Sequence, residues 1–350
     1  MNYVRNCWYV AFWSHEVVQG TPASVTILGE PIAVYRGESG RLTALEDRCV
    51  HRLAPLSLGR CEGDRLRCMY HGLLYAPDGQ VVDIPGQDII PPHAKVRSYP
   101  IEERHGWIWI WMGDPQKADA ELIPAAVGLD DPDFIMGSGA LDYDAEAELI
   151  NDNLLDFSHL SYVHADSFQS GPEFAERTPR ITPLPRGIRY ERWLENTLGS
   201  STRRTPVPMD NFMTYDFVVP GILLMRSGTF PVGTAAQCEH QAPDFSRAER
   251  IHTFTSQAVT PISERKARYF FCWGPHRVYG DEAQRDMLLG LAAMAFDEDK
   301  RMIEAQQRII DITPTPRIMP TAHDRSVTIF NRLVKSMIEQ ERHETLAEAR

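Results

Sequence analysis

Cys49-Val50-His51 and Cys68-Met69-Tyr70-His71 decide the reading of this chain. The first is C-x-H, the second is C-x2-H, and sixteen residues separate them. Each half offers one thiolate and one imidazole. A [2Fe–2S] cluster with two Cys on one iron and two His on the other needs that set, and its neutral imidazoles give it a higher potential than an all-Cys cluster. Tetrahedral zinc is the other use of two Cys with two His, but zinc-finger spacing groups the pair of Cys ahead of the pair of His. The mixed halves here suit two loop tips pinching a two-iron cluster.

The flanks agree. Pro55, Gly59, Gly63, Gly72 and Gly79 punctuate the segment as loops between short strands. His51-Arg52 and Tyr70-His71-Gly72-Leu73 complete a pattern that resembles the Rieske domain of the Rieske non-haem iron oxygenases, a family of bacterial multicomponent enzymes.

The chain has 350 residues, enough for two domains, and a formal net charge of −12. That charge argues against nucleic acid and anionic membrane as partners. No apolar run approaches a membrane span. The N-terminal residues show no signal-peptide core, so the cytoplasm is the expected location. Six Cys are present; Cys49 and Cys68 belong to the motif, and Cys7, Cys61, Cys238 and Cys272 have no disulfide-framework spacing.

Residues 1–115 read as a small all-β domain. Trp8–Trp13, Ser24–Leu28, Ile32–Tyr35 and Leu42–Leu45 are strand-like and separated by glycines. Leu74-Tyr75, Asp78-Gly79 and Val81-Val82 read as a hairpin. Trp107-Ile108-Trp109-Ile110-Trp111 reads as a strand with core-packing aromatics. Residues 116–350 read as an α+β domain with an antiparallel sheet. A helix is expected over about 146–160, a long one over about 281–311 and another near 325–346. Residues 165–186 and 199–211, rich in Pro, Ser, Thr and Arg, read as mobile loops.

A second constellation lies in Asn153-Leu-Leu-Asp156-Phe-Ser-His159-Leu-Ser-Tyr-Val-His164. Non-haem Fe(II) oxygenases bind iron with two His and a carboxylate on one face, leaving positions open. His159 and His164 are five apart, which on an unbroken helix puts them about 140° apart. The helix is therefore expected to break near Leu160–Ser161, with Asn153, Asp156 and His159 sharing a face before it. The same residues also fit an amphipathic helix with incidental His and Asp. Asp299 is the best candidate for the distant carboxylate. Leu288, Ala292, Ala295 and Met302, at −11, −7, −4 and +3 from it, place it on an apolar stripe, where a carboxylate needs a partner or a metal.

The family resemblance covers essentially the whole chain and carries further expectations. The family's stretch D/N-x2-D-x2-H-x4-H is matched by Asn153, Asp156, His159 and His164, with a mononuclear iron as acceptor of the cluster's electrons. A Glu-Asp-Lys-like segment supplies the third ligand, which favours Asp299 over Glu298 and Asp297. Asp156 would bridge His71 of one protomer and His159 of the next in a homotrimer. Asp152-Asn-Leu-Leu-Asp-Phe-Ser-His and Cys68-Met-Tyr-His-Gly-Leu look most like the vanillate O-demethylase and toluenesulfonate methyl-monooxygenase oxygenase components, with dicamba O-demethylase a further relative. The implied reaction takes O2 and NAD(P)H-derived electrons to a methyl or methoxy carbon of an aromatic carboxylate or sulfonate. A separate reductase, with or without a ferredoxin, would deliver the electrons, because the chain has no G-x-G-x-x-G fingerprint. Asn211, Arg226, His252, Gln257 and Arg277 are the candidate substrate contacts. Pro275-His276-Arg277-Val278 departs from the relatives' Ala/Ser-Arg-Asn-Phe, and Gln257 replaces a substrate-contacting His of the dicamba enzyme. The alternatives are a ring-hydroxylating dioxygenase and a plain Rieske electron carrier, for which His159, His164 and Asp299 would have no use.

Overall fold

The computed structural model describes residues 3–348, apart from the side chains of Glu173, Arg203 and Glu348. It divides into two compact units. The first comprises Met1–Pro124 with Thr260–Ser263, and the second Ala125–Val259 with Glu264–Arg350. The main segment of the first unit thus ends at Pro124.

Among the described residues the first unit holds only strands and short 3-10 turns, in three antiparallel sheets. Trp107–Trp111 is the central strand of one, between Trp8–Trp13 and Ile101–Arg104. Trp107, Trp109 and Trp111 are fully buried, and so are Ile108 and Ile110, so both faces of this strand are core. Trp8 meets Trp111 edge-on at 5.5 Å and Trp13 tilts against Trp107 at 5.2 Å. Each such side chain contributes roughly 2–3 kcal/mol by leaving water. The second sheet orders Ala23–Ile27, Glu30–Arg36, Leu42–Glu46 and Ser98–Tyr99; the third orders Arg60–Glu62, Arg65–Arg67, Leu74–Tyr75 and Val81–Asp83. The Cys49 loop follows the second sheet's Leu42–Glu46, and the Cys68 loop joins Arg65–Arg67 to Leu74–Tyr75.

The second unit is α+β, as expected. Its seven-stranded antiparallel sheet runs Gly137–Tyr143, Lys266–Pro275, His252–Ser263, Ile222–Phe230, Met209–Val218, Gly187–Thr197 and Arg180–Leu184. The helices Glu282–Asp311 and Arg325–Glu348 pack against it, and the helix Ala147–Leu155 packs on both of them. Two expectations are corrected here. The segments 165–186 and 199–211 are folded: they hold the short helix Glu173–Glu176, the edge strand Arg180–Leu184 and the start of the strand Met209–Val218. Their turn residues misled because an edge strand tolerates Pro and Thr.

The α-helix also ends earlier than expected, at Leu155. The Leu155 carbonyl accepts hydrogen bonds from the Ser326 hydroxyl at 2.6 Å and the Tyr215 hydroxyl at 3.3 Å. These two donors from distant elements take the place of the next turn's N–H. Asp156 then turns extended (φ −123°, ψ 97°), and its carboxylate caps a 3-10 turn, Phe157–Ser161, through Ser158 N at 2.8 Å. Asn153, Asp156 and His159 therefore do not share one helical face.

Asp152 lies in the same helix and accepts a hydrogen bond from Asn331 at 3.1 Å. Burial pushes its carboxyl up to about 6. A raised acid favours the folded state below its unfolded value, and that benefit is lost as pH rises toward 6. Asp152→Asn keeps the shape and removes the charge. Its melting temperature is expected to exceed wild type at pH 7.5, with the gain shrinking toward pH 4; calorimetry at the two pH values checks this.

Candidate active site

The two cluster-motif loops have the same construction. Leu53 N donates to Cys49 O at 2.9 Å, and Gly72 N donates to Cys68 O at 2.9 Å, so each loop closes four residues after its Cys. Leu53 (φ 57°) and Gly72 (φ 81°) both take the left-handed conformation at that closing position. A Cβ on Gly72 would lie 2.7 Å from Pro85, so glycine is required there on both counts. Asp47 anchors the first loop, accepting from Ser57 N at 2.7 Å and from the Ser57 hydroxyl at 2.6 Å. Arg67 anchors the second, donating to Gly72 O at 2.7 Å and to Asp83 at 2.8 Å.

Cys49 and Cys68 are buried, at 2% and 1% exposure, while His51 and His71 face solvent with ring centroids 4.5 Å apart. Burial raises the Cys68 thiol, and the Tyr70 and His71 backbone N–H groups pull it back. Tyr75 donates its hydroxyl to Cys49 Sγ at 3.1 Å and accepts Val50 N at 3.0 Å. Three donors thus converge on two buried sulfurs. That surrounding suits sulfur held as an anion and a cluster ligated by two cysteines and two histidines. The sequence carried no signal for Tyr75.

The second constellation also assembles. The break at Asp156 brings the His159 and His164 rings to 5.2 Å, and Asp299 reaches both. His159 Nε2 lies 3.6 Å from Asp299 Oδ1, and His164 Nε2 lies 3.3 Å from Asp299 Oδ2. One ligand atom from each residue fits within 4.8 Å of the others. Asp299 sits on the helix Glu282–Asp311 at 4% exposure, among buried Leu288, Ala292, Ala295 and Ile303. Met302 is 57% exposed and leaves the proposed stripe. At +3 it falls about 60° from Asp299 around the helix, whereas Ile303 at +4 falls about 40° away. Hydrogen bonds from Tyr143 to Phe296 O (3.2 Å), Asp144 N to Glu304 (3.0 Å) and Glu146 N to Gln307 (3.0 Å) register this helix against the start of the His-bearing segment.

Both imidazoles direct Nε2 inward. His159 Nδ1 pairs with the backbone carbonyl of Asp156, and His164 Nδ1 with Glu298 Oε2 at 2.8 Å. Each Nδ1 therefore keeps its proton and leaves Nε2 a free lone pair. Burial lowers His159, outweighing the attraction of Asp299. Burial also acts against His164, but the Asp299 and Glu298 carboxylates outweigh it and hold that ring above its ordinary value. Asn153 donates to Asp299 Oδ1 at 3.1 Å and lies 3.5 Å from His159 Nε2. The Asp156 side chain is not against His159; its backbone holds that ring. The Asp156 side chain instead lines a separate cavity of about 420 Å³ with Tyr190, Arg192 and His323. Two nitrogens, one carboxylate and their supports make a donor set that fits a divalent iron.

The triad lines a cavity of about 630 Å³. Leu154, Phe157, Leu160, Phe168, Met213, Met225 and Phe296 make its walls apolar. Its polar lining comes from Ser170, Ser200, Thr202, Ser227, Thr255, Gln257 and Trp273. No described Arg or Lys lines it. Gln257 Oε1, Trp273 Nε1 and Ser170 Oγ are buried without a hydrogen-bond partner, which marks them as groups for a ligand to satisfy. Of the five candidate substrate contacts, only Gln257 lines this cavity. Strand alternation puts Arg226 and His252 on the other face, because Met225, Ser227 and Thr255 take this one. There Arg226 donates to His252 Nε2 at 2.7 Å and covers the Phe245 ring at 4.2 Å, while His252 stacks on His276 at 4.9 Å. Burial, with Arg226 and His276 beside it, pushes His252 down to about 3. Arg277 is exposed and bonds Pro132 O at 2.7 Å. Asn211 is buried, on the cavity's side of its strand but outside the lining. Phe168, Ser170 and Trp273 were missed, since isolated aromatics and serines on strands and loops carry no positional signal.

Comparison with known proteins follows the same division. Residues 7–100 match the Rieske [2Fe-2S] domain, and residues 143–340 match the vanillate O-demethylase oxygenase C-terminal domain. The chain is 36% identical to the toluene-4-sulfonate monooxygenase system iron-sulfur subunit of Comamonas testosteroni, over 95% of this chain and 98% of that one. It is 33% identical to the dicamba O-demethylase oxygenase component of Stenotrophomonas maltophilia, over 88% and 89%. The crystal structure of dicamba monooxygenase bound to dicamba superposes with a TM-score of 0.84 at 29% identity, covering 98% of this chain and all of that one.

Tyr75→Phe removes one donor from Cys49 Sγ. The reduced cluster carries more negative charge and loses more than the oxidised one. A differential loss of about 1 kcal/mol corresponds to roughly 40 mV, so a spectroelectrochemical titration is expected to find the midpoint lower by about that much, with the cluster's absorption retained.

Proposed function

The chain belongs to the Rieske non-haem iron oxygenases, in the branch with the vanillate O-demethylase type of C-terminal domain, and from that membership we propose that it hydroxylates a methyl or methoxy carbon of an aromatic carboxylate or sulfonate. The observation that carries this is the His159–His164–Asp299 triad lining an apolar cavity, in a chain that also has the two Cys-and-His loops. Cys49, Cys68, His51 and His71 would hold the [2Fe–2S] cluster, and His159, His164 and Asp299 the mononuclear iron. When bound, the cluster supplies single electrons and the iron supplies the place where dioxygen is activated. Asn153 orients one Asp299 oxygen, and the Asp156 carbonyl and Glu298 hold the two Nδ1 protons.

Phe157, Phe168 and Phe296 offer an aromatic ring flat and edge contacts and keep water from it. With no described cation in the lining, the acid group is held by neutral donors, of which Trp273 Nε1 and Ser170 are unsatisfied. A methoxy substrate hydroxylated at its methyl carbon gives a hemiacetal that collapses to a phenol and formaldehyde. A ring methyl gives a benzylic alcohol. NAD(P)H electrons come through a separate reductase. The open cavity beside Asp156 supports a docking place for the His71 edge of a neighbouring copy in a homotrimer. No helix among the described residues is long and apolar enough to cross a membrane, in keeping with a cytoplasmic role.

Asp299→Ala is expected to lose most of its mononuclear iron while the visible spectrum of the two-iron cluster is unchanged; an iron-replete, fully active variant would sink the ligand assignment. Oxygen uptake with reductase, NADH and a panel of methoxybenzoates, methylbenzoates and methylbenzenesulfonates tests the reaction. Stoichiometric formaldehyde identifies demethylation, and uptake without it identifies methyl or ring oxidation. With the best substrate, Trp273→Phe is expected to raise KM about tenfold, the worth of one buried donor, with a smaller effect on kcat.

A further inference from the structure

His164 is held from both edges by consecutive carboxylates of one helix. Asp299 faces its Nε2 at 3.3 Å and Glu298 takes its Nδ1 at 2.8 Å. The second contact is itself supported: the hydroxyl of Ser167, a buried residue, donates to the same Glu298 oxygen at 2.6 Å. The Glu298 side chain is only 12% exposed. Lys300, two residues on, is turned to Glu304 at 3.8 Å. His159 has no such partner, since its Nδ1 meets the neutral carbonyl of Asp156.

We propose that Glu298 is a positioning residue of the metal centre, fixing the His164 ring and making it the stronger donor of the two imidazoles. A carboxylate on Nδ1 draws the proton toward itself and raises electron density at Nε2. A peptide carbonyl does so less, because it carries no net charge. Glu298 and Asp299 together bring two negative charges to the buried centre, which a divalent cation balances. Ser167 holds Glu298 in place, and the Ser201 hydroxyl fixes the Ser167 carbonyl at 2.8 Å. This support therefore comes from the loop that also gives Ser200 and Thr202 to the cavity lining.

The inference rests on iron occupying the His159–His164–Asp299 site, so the test separates the two. Full-length apoprotein with its two-iron cluster intact is titrated with Fe(II), and the nitric oxide adduct of the bound ferrous ion is recorded by electron paramagnetic resonance. Glu298→Ala is expected to bind Fe(II) about 10- to 100-fold more weakly. Glu298→Gln keeps the acceptor but loses the charge; its affinity is expected between those of wild type and Glu298→Ala, with a resonance shifted from wild type. Asp299→Ala is the control. If Asp299→Ala binds iron like wild type, the site assignment fails. If Asp299→Ala loses iron while Glu298→Gln keeps both wild-type affinity and wild-type resonance, the role of Glu298 alone is overturned. Glu298→Gln is close to isosteric, so it decides the matter even where the alanine variant does not fold.

Discussion

A carboxylate at 4% exposure on the apolar stripe of a helix is stable only with positive charge or proton donors around it. Asp299 is that group, and much of the second unit is arranged about it. The registry of the helix Glu282–Asp311 against residues 143–146 sets its depth. The premature stop at Leu155 sets the approach of His159 and His164. Asn153 donates to Oδ1, which also faces His159 Nε2, and Oδ2 faces His164 Nε2. A divalent cation among these three groups would balance the buried carboxylate's charge.

The helix break is the device that makes a five-residue His spacing usable. Regular helix would carry His164 about 140° away from His159. The break is enforced at a distance, by hydroxyls of Ser326 and Tyr215 on the Leu155 carbonyl, and locally, by the Asp156 carboxylate on Ser158 N. Asp156 thereby does two things within its own chain. Its side chain starts the 3-10 turn, and its carbonyl orients the ring that the turn presents.

Sheet alternation separates two chemistries that lie within one residue of each other along the strands. One face meets the cavity through Met213, Met225, Ser227, Thr255, Gln257 and Trp273. The other buries Trp193, Phe212 and Phe230 together, with the Arg226–His252 pair beside Phe245. Arg226, between the lining residues Met225 and Ser227 in sequence, is thus kept out of the cavity by the period of two. In the first unit the same economy holds on a smaller scale: two loops of matching closure bury two sulfurs and leave two imidazoles exposed.

Local chemistry was legible in the sequence wherever residue type and spacing suffice. The Cys49–His51 and Cys68–His71 pairs, the all-β first unit, the α+β second unit and the long helix could be read because each depends on contacts within a few residues or on a regular period. Asp299 could be read because a carboxylate on an apolar stripe is anomalous in one dimension. What depends on distant partners could not. The helix stop at Leu155 needs Ser326 and Tyr215; Tyr75 reaches Cys49 across 26 positions; Glu298 finds His164 across 134; and strand register is what turns Arg226 and His252 away from the cavity. The sequence by itself determined which ligands exist and which metals they suit. Only the tertiary structure decided which nitrogen of each imidazole is free and which groups await a substrate, because hydrogen-bond partners are assigned by distance in space and not along the chain.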